Sequence, residues 1–139
     1  MSAKKTSSTS GRLLTEVELQ LMNIVWNLDK ATIKEVVSHL PKERPLAYTT
    51  VATVIKILEQ KGFLECQKNS YAHVFHPVVT KYEYENACLD HIVANVFDGE
   101  PMALVQRLLM AKKLPYDDIE AIEKSLKQFI PSKNPEEVQ

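Results

Sequence analysis

Ala47-Tyr-Thr-Thr-Val-Ala-Thr-Val-Ile-Lys-Ile-Leu-Glu-Gln-Lys-Gly62 is the stretch that decides how the rest of the chain is read. Val51, Val54, Ile55 and Leu58 recur at helical spacing and face one way. Thr49, Thr53, Lys56 and Gln60 occupy the other side, with Thr50 and Ala52 flanking them. The helix is expected over about residues 49–61, and Gly62 stops it just past the last turn. Its outer face is odd for a solvated one. Exposed helices favour Glu, Lys and Arg, whereas threonines and valine here cost helix propensity. Short hydroxylated side chains let the backbone come close to a partner, so this face reads as a contact surface.

Working upstream, Thr15-x-x-Glu18 is a capping box that opens a helix. Val17, Leu21, Ile24 and Leu28 form its stripe, and Met22, Val25 and Trp26 widen it. Trp26 and Met22 are expected to pack on Ile55 and Leu58. Asn27 to Lys30 end this helix. A second runs from about Thr32, its cap, to Leu40, and Pro41 and Pro45 keep the next connection non-helical. Downstream of Gly62 the period changes. Residues 63–67 and 72–76 read as short strands joined by Lys68-Asn69-Ser70-Tyr71.

From Lys81 the helical period returns, to about Phe97. Asp98-Gly99 breaks it, and Pro101 opens a helix to about Lys112 with Leu104, Val105, Leu108 and Leu109 apolar. The last helix starts at Pro115 and repeats Ile119, Ile122, Leu126 and Phe129 in steps of three and four. The expected fold is mainly α with a small β-hairpin. A winged helix-turn-helix domain spans 13–80 and a helical dimerisation domain spans 81–130. A disordered tail, 1–12, precedes them and a frayed one, 131–139, follows. A fragment ending at Thr80 is expected to fold alone.

The net charge of −1 conceals an asymmetry. Residues 1–80 balance to +3 and residues 81–139 to −4, so the first half is the one suited to a polyanion. No apolar run is long enough to span a membrane, and Met1 to Ser10 has no apolar stretch behind its lysines. Cys66 and Cys88 make no disulfide framework. A cytoplasmic location without membrane association is expected.

Enzyme chemistry finds little support. Gly occurs three times, and no phosphate loop, nucleophile motif or metalloprotease helix is present. Cys66, His73 and His76 share the hairpin, and Cys88-x-x-His91 shares a helix face. Structural zinc wants four ligands in tight pairs, and residues three apart on a strand face opposite ways. No metal and no cofactor are expected.

In a helix-turn-helix protein the recognition helix enters the major groove and sets its N-terminal residues against base edges. Thr49, Thr50, Thr53, Lys56 and Gln60 are the candidates. A threonine hydroxyl can bond a base or phosphate while its methyl packs on thymine. Lys68, Asn69 and Tyr71 in the hairpin turn, and Arg12 in the tail, would reach sugar and phosphate, which position without specifying. The six dimerisation candidates are Leu104, Leu108, Ile119, Ile122, Leu126 and Phe129. Double-stranded DNA and a second copy of the chain are the expected partners. The alternative is a winged helix used for protein contact within a larger assembly, which would show exposed Leu, Phe or Trp on the recognition face.

Leu14-Thr-Glu-Val-Glu18, Met22 and Trp26 at steps of four, Ala47 to Val54, Leu58-Glu-Gln-Lys-Gly62 and Phe97-Asp-Gly99 together resemble the penicillinase-repressor family of BlaI and MecI type. The resemblance covers about residues 13–129. It implies a transcriptional repressor that binds a pseudo-palindromic operator as a dimer. The recognition helix would map to Tyr48–Lys61, adding Tyr48 to the candidates. It also implies a regulatory protease as a partner, since several members are inactivated by cleavage in the dimerisation domain. Three departures stand out. Ile57 occupies a position that is usually basic, Arg107-Leu108 replaces the usual Asn-Phe cleavage bond, and no Cys follows Cys88, unlike the copper-responsive branch.

Overall fold

The computed structural model describes residues 13–69, 71–111 and 113–130. The expected tails, and Arg12 with them, lie outside the described residues.

Helix α1, Glu16–Leu28, begins with the expected capping box, Thr15 and Glu18 bonding reciprocally. Asp29, at φ 74°, turns the chain out of it. Helix α2, Ile33–Ser38, is shorter than its apolar stripe suggested and has a second capping box, Thr32 with Glu35. Helix α3, Tyr48–Gln60, is followed by Lys61 as C-cap and by Gly62 at φ 87°, a left-handed turn that glycine adopts without strain.

Strands β1, Leu64–Lys68, and β2, His73–Pro77, pair antiparallel with Leu64 opposite Pro77, Cys66 opposite Phe75 and Lys68 opposite His73. A third piece joins this sheet. Ala31, between α1 and α2, exchanges two 2.9 Å backbone hydrogen bonds with Phe75. That bridge ties the helix-turn-helix to its wing.

Between these elements lies one apolar core. Leu21, Met22 and Val25 of α1 meet Val36 of α2, Val51, Ile55 and Leu58 of α3, and Phe63, Leu64 and Phe75 of the hairpin. Each fully buried Leu, Ile, Met or Phe stabilises the fold by about 1.5–3 kcal/mol relative to leaving it in water. Trp26 is half-buried and packs against this core. Its indole N–H also donates to the Val79 carbonyl at 2.9 Å, and its ring lies 5.9 Å from that of Tyr84. An indole N–H needs a polar partner when covered, and the Val79 backbone carbonyl, just after the hairpin, supplies one.

Helix α4, Lys81–Asn95, starts with Thr80 and Glu83 bonding each other's backbone N–H. Its Tyr84 is part of the core just described. The compact unit therefore runs to Ile92, and a second begins at Val93. A fragment ending at Thr80 would lack Tyr84. Asp98 and Gly99, at φ 52° and 78°, form the expected break, although α4 ends earlier, at Asn95. Helix α5, Pro101–Met110, and helix α6, Tyr116–Phe129, complete the second unit. Neither contains a buried residue. Leu108, Ile119, Ile122, Leu126 and Phe129 are all exposed, Phe129 by 81%. Leu104 is half-exposed.

Candidate nucleic-acid interface

The outer face of α3 is open. Thr49, Thr50, Thr53, Lys56 and Gln60 are exposed, as is Tyr48 at its start. Two features prepare the helix N-terminus for an anion. Ala47, at the N-cap, offers no side-chain acceptor, and no acidic residue lies in the first turn. The first amide N–H groups thus keep their positive character for an outside acceptor.

Individual side chains are partly committed. The Thr53 hydroxyl donates to the Thr49 carbonyl at 2.9 Å, a back-bond within the helix that uses its donor and leaves the oxygen able to accept. Lys56 Nζ lies 3.9 Å from Glu59, a long exposed pair. Such a pair contributes little, so phosphate can compete for the ammonium.

At the hairpin turn Asn69 plays an architectural part. Its side-chain oxygen accepts from the N–H of Tyr71 at 3.1 Å and of Ala72 at 2.9 Å. Lys68 is exposed and Tyr71 is 97% exposed. A cleft of 610 Å³ separates the turn from the starts of α2 and α3, lined by Thr32, Lys34, Tyr48, Tyr71 and His73 among others. The two exposed tyrosines thus share one concavity with Lys34, His73 and Glu35, whose carboxylate is bonded into the α2 capping box. Lys34 and His73 were not legible as members of it, because the cleft is assembled from three separated segments.

Behind the face lies a polar junction. The Glu18 carboxylate is buried and bonded by Lys61 Nζ at 2.7 Å. Burial pushes its pKa up, but the Lys61 hydrogen bond, the Thr15 N–H and the Lys61 charge outweigh burial and hold it below the ordinary value. Nearby, the Tyr84 hydroxyl accepts from Leu14 N–H at 2.8 Å. Burial, with the Cys88 side chain, pushes that phenol's pKa upward against the opposing hydrogen bond from Leu14.

Among the described residues no three His, Cys, Asp or Glu side chains gather to hold a metal ion. His76 pairs with Glu65 across the hairpin at 3.2 Å, and Cys66 and Cys88 both pack on the core. No helix of the described residues is long and apolar enough to cross a membrane.

Comparison with known proteins gives a consistent result. The penicillinase repressor family description matches residues 14–128. The methicillin resistance regulatory protein MecI of Mammaliicoccus sciuri is 22% identical over 109 residues, which is 78% of this chain and 89% of that one. The penicillinase repressor of Bacillus licheniformis is 21% identical over 115 residues, 83% of this chain and 90% of that one. A solved structure of monomeric BlaI from Bacillus licheniformis in complex with the blaP half-operator is 25% identical, covering 52% of this chain and 89% of that one at a TM-score of 0.46.

Proposed function

Because this chain belongs to the penicillinase repressor family and is a DNA-binding transcriptional repressor rather than an enzyme, we propose that it binds a pseudo-palindromic operator as a homodimer and lets go when dimerisation is lost. Helix α3 enters the major groove. Thr49, Thr50 and Thr53 meet base edges and the nearest phosphate, with Lys56 and Gln60 further along. Tyr48, Lys68, Asn69 and Tyr71 flank the groove, and Lys34 and His73 join them through the shared cleft. The observation that carries this reading is α3 itself: an uncapped N-terminus behind an exposed face of threonine and lysine.

The protein-interaction alternative asks for Leu, Phe or Trp on that face, and the exposed positions of α3 hold none beyond the Tyr48 ring. In the second unit, Leu104, Leu108, Ile119, Ile122, Leu126 and Phe129 form the pairing surface. A two-fold dimer is the commonest way to cover such a patch. Any agent that separates the subunits, a regulatory protease included, would release DNA without touching α3.

The test is selection of bound duplexes from a random DNA pool with the purified chain. A shared inverted repeat, with half-sites about one or two helical turns apart, is the expected outcome. Recovery of no common sequence would refute the reading.

A further inference from the structure

Glu18 is 6% exposed, and its two oxygens serve different elements. Oε1 accepts from Thr15 N–H at 2.9 Å and closes the α1 cap. Oε2 accepts from Lys61 Nζ at 2.7 Å, and Lys61 is the C-cap of α3. One residue before the cap, Leu14 N–H donates to Tyr84 of α4. The Tyr84 ring meets Phe63, which follows α3 by three residues, edge-on at 5.9 Å. The start of α1 therefore grips the far end of α3 and the start of α4 together.

An ion pair with its carboxylate buried and its ammonium partly exposed is a poor way to gain stability, because desolvation of the carboxylate offsets much of the attraction. A short charge-assisted bond adds direction, which apolar packing lacks. Direction matters for α3. Its apolar face is packed in the core and its leading end has no side-chain cap, so the Lys61 bond is the directional polar contact at the ends of the helix. We propose that Glu18 and Lys61 are positioning residues for DNA recognition: the part-buried pair fixes the rotation and axial setting of α3, and so sets sequence discrimination without touching DNA.

This rests on α3 being the recognition helix. The experiment uses the full chain and two probes, a duplex recovered from the random pool and a scrambled duplex of equal length. Glu18→Gln, Lys61→Met and Lys61→Arg are compared with the parent well below its melting midpoint. The double variant Glu18→Gln with Lys61→Met removes both charges and guards against a single variant that fails to fold. The neutral pair should bind the selected duplex about tenfold more weakly, the scale of one lost base contact. Binding to the scrambled duplex should not change, and Lys61→Arg should restore most of the preference. Equal losses on both duplexes, or no loss at all, would overturn the proposal. So would a salt slope lowered by about 1 for Lys61→Met but not for Glu18→Gln, which would put Lys61 on a phosphate. A parent that prefers neither duplex fails the recognition-helix reading instead.

Discussion

The two units of this chain carry similar apolar stripes and dispose of them differently. In the first, Leu21, Met22, Val25, Val51, Ile55 and Leu58 are fully covered by one another and by the hairpin. In the second, α5 and α6 repeat Leu104, Leu108, Ile119, Ile122 and Leu126 at the same helical steps, and no residue of either helix is buried. The difference lies in partners. Three helices and a wing surround a point, so each covers the others. Two short amphipathic helices leave a large share of their apolar surface in water, and under the proposed reading a second chain covers it. One unit thus has a sealed core, and the other leaves its apolar stripes partly uncovered.

The sharpest way to break this contrast is to empty the sealed core. Phe63→Ala should destabilise the first unit by about 3–5 kcal/mol in urea titration. A loss under about 1 kcal/mol would mean that Phe63 is not buried as described.

The next effect concerns the outer face of the same unit. Lys56→Ala should weaken operator binding by about 1–3 kcal/mol if the lysine reads a base. If it meets only phosphate, the loss should be uniform over sequences, with the salt slope reduced by about 1. Binding unchanged in both respects would show that Lys56 is not part of the interface.

Trp26 sharpens the account of where the first unit ends. Trp26→Phe keeps the ring contact with Tyr84 and deletes the bond to Val79. It should cost about 1 kcal/mol. A melting profile identical to the parent's would show that this bond contributes nothing and that α4 is held by other contacts.

The smallest effect is the pH dependence of Glu18. Its carboxyl is held below the ordinary glutamate value, so its contribution is fully present above that value of 4.5 and is lost as pH falls through the lower folded value. The stability gap between the parent and Glu18→Gln should stay constant near neutrality and close only in acid. A gap that widens on acidification would reverse the sign and contradict the ion pair.

What the sequence made legible follows from how local each signal is. Thr15-x-x-Glu18 and the apolar steps of α1 and α3 are contained within a few turns, and both helices formed where those signals lie. The same capping pattern in Thr32-x-x-Glu35 and Thr80-x-x-Glu83 forms the same bonds, each again within a single turn. The Ala31–Phe75 bridge is one residue pair with no alternation to reveal it. Glu18 and Lys61 are 43 residues apart, so nothing in either neighbourhood announces their pairing. The outer face of α3 was legible because its threonines conflict with helix propensity. The cleft with Lys34 and His73 was not, because no single segment makes it. Periodicity directs Trp26 toward the core it packs on, and cannot show that a carbonyl at Val79 will also capture the indole N–H.

The most direct test of the contrast between the units is the full chain bearing Ile122→Asp and Leu126→Asp. Sedimentation should give a dimer for the parent and a monomer for the variant, with the circular dichroism of the first unit retained. Linked half-site binding raises the effective concentration of the second wing to about millimolar, so the variant should bind a two-half-site duplex at least about a hundredfold more weakly. Equal affinity of the two proteins, or a parent that sediments as a monomer while binding tightly, would contradict the account.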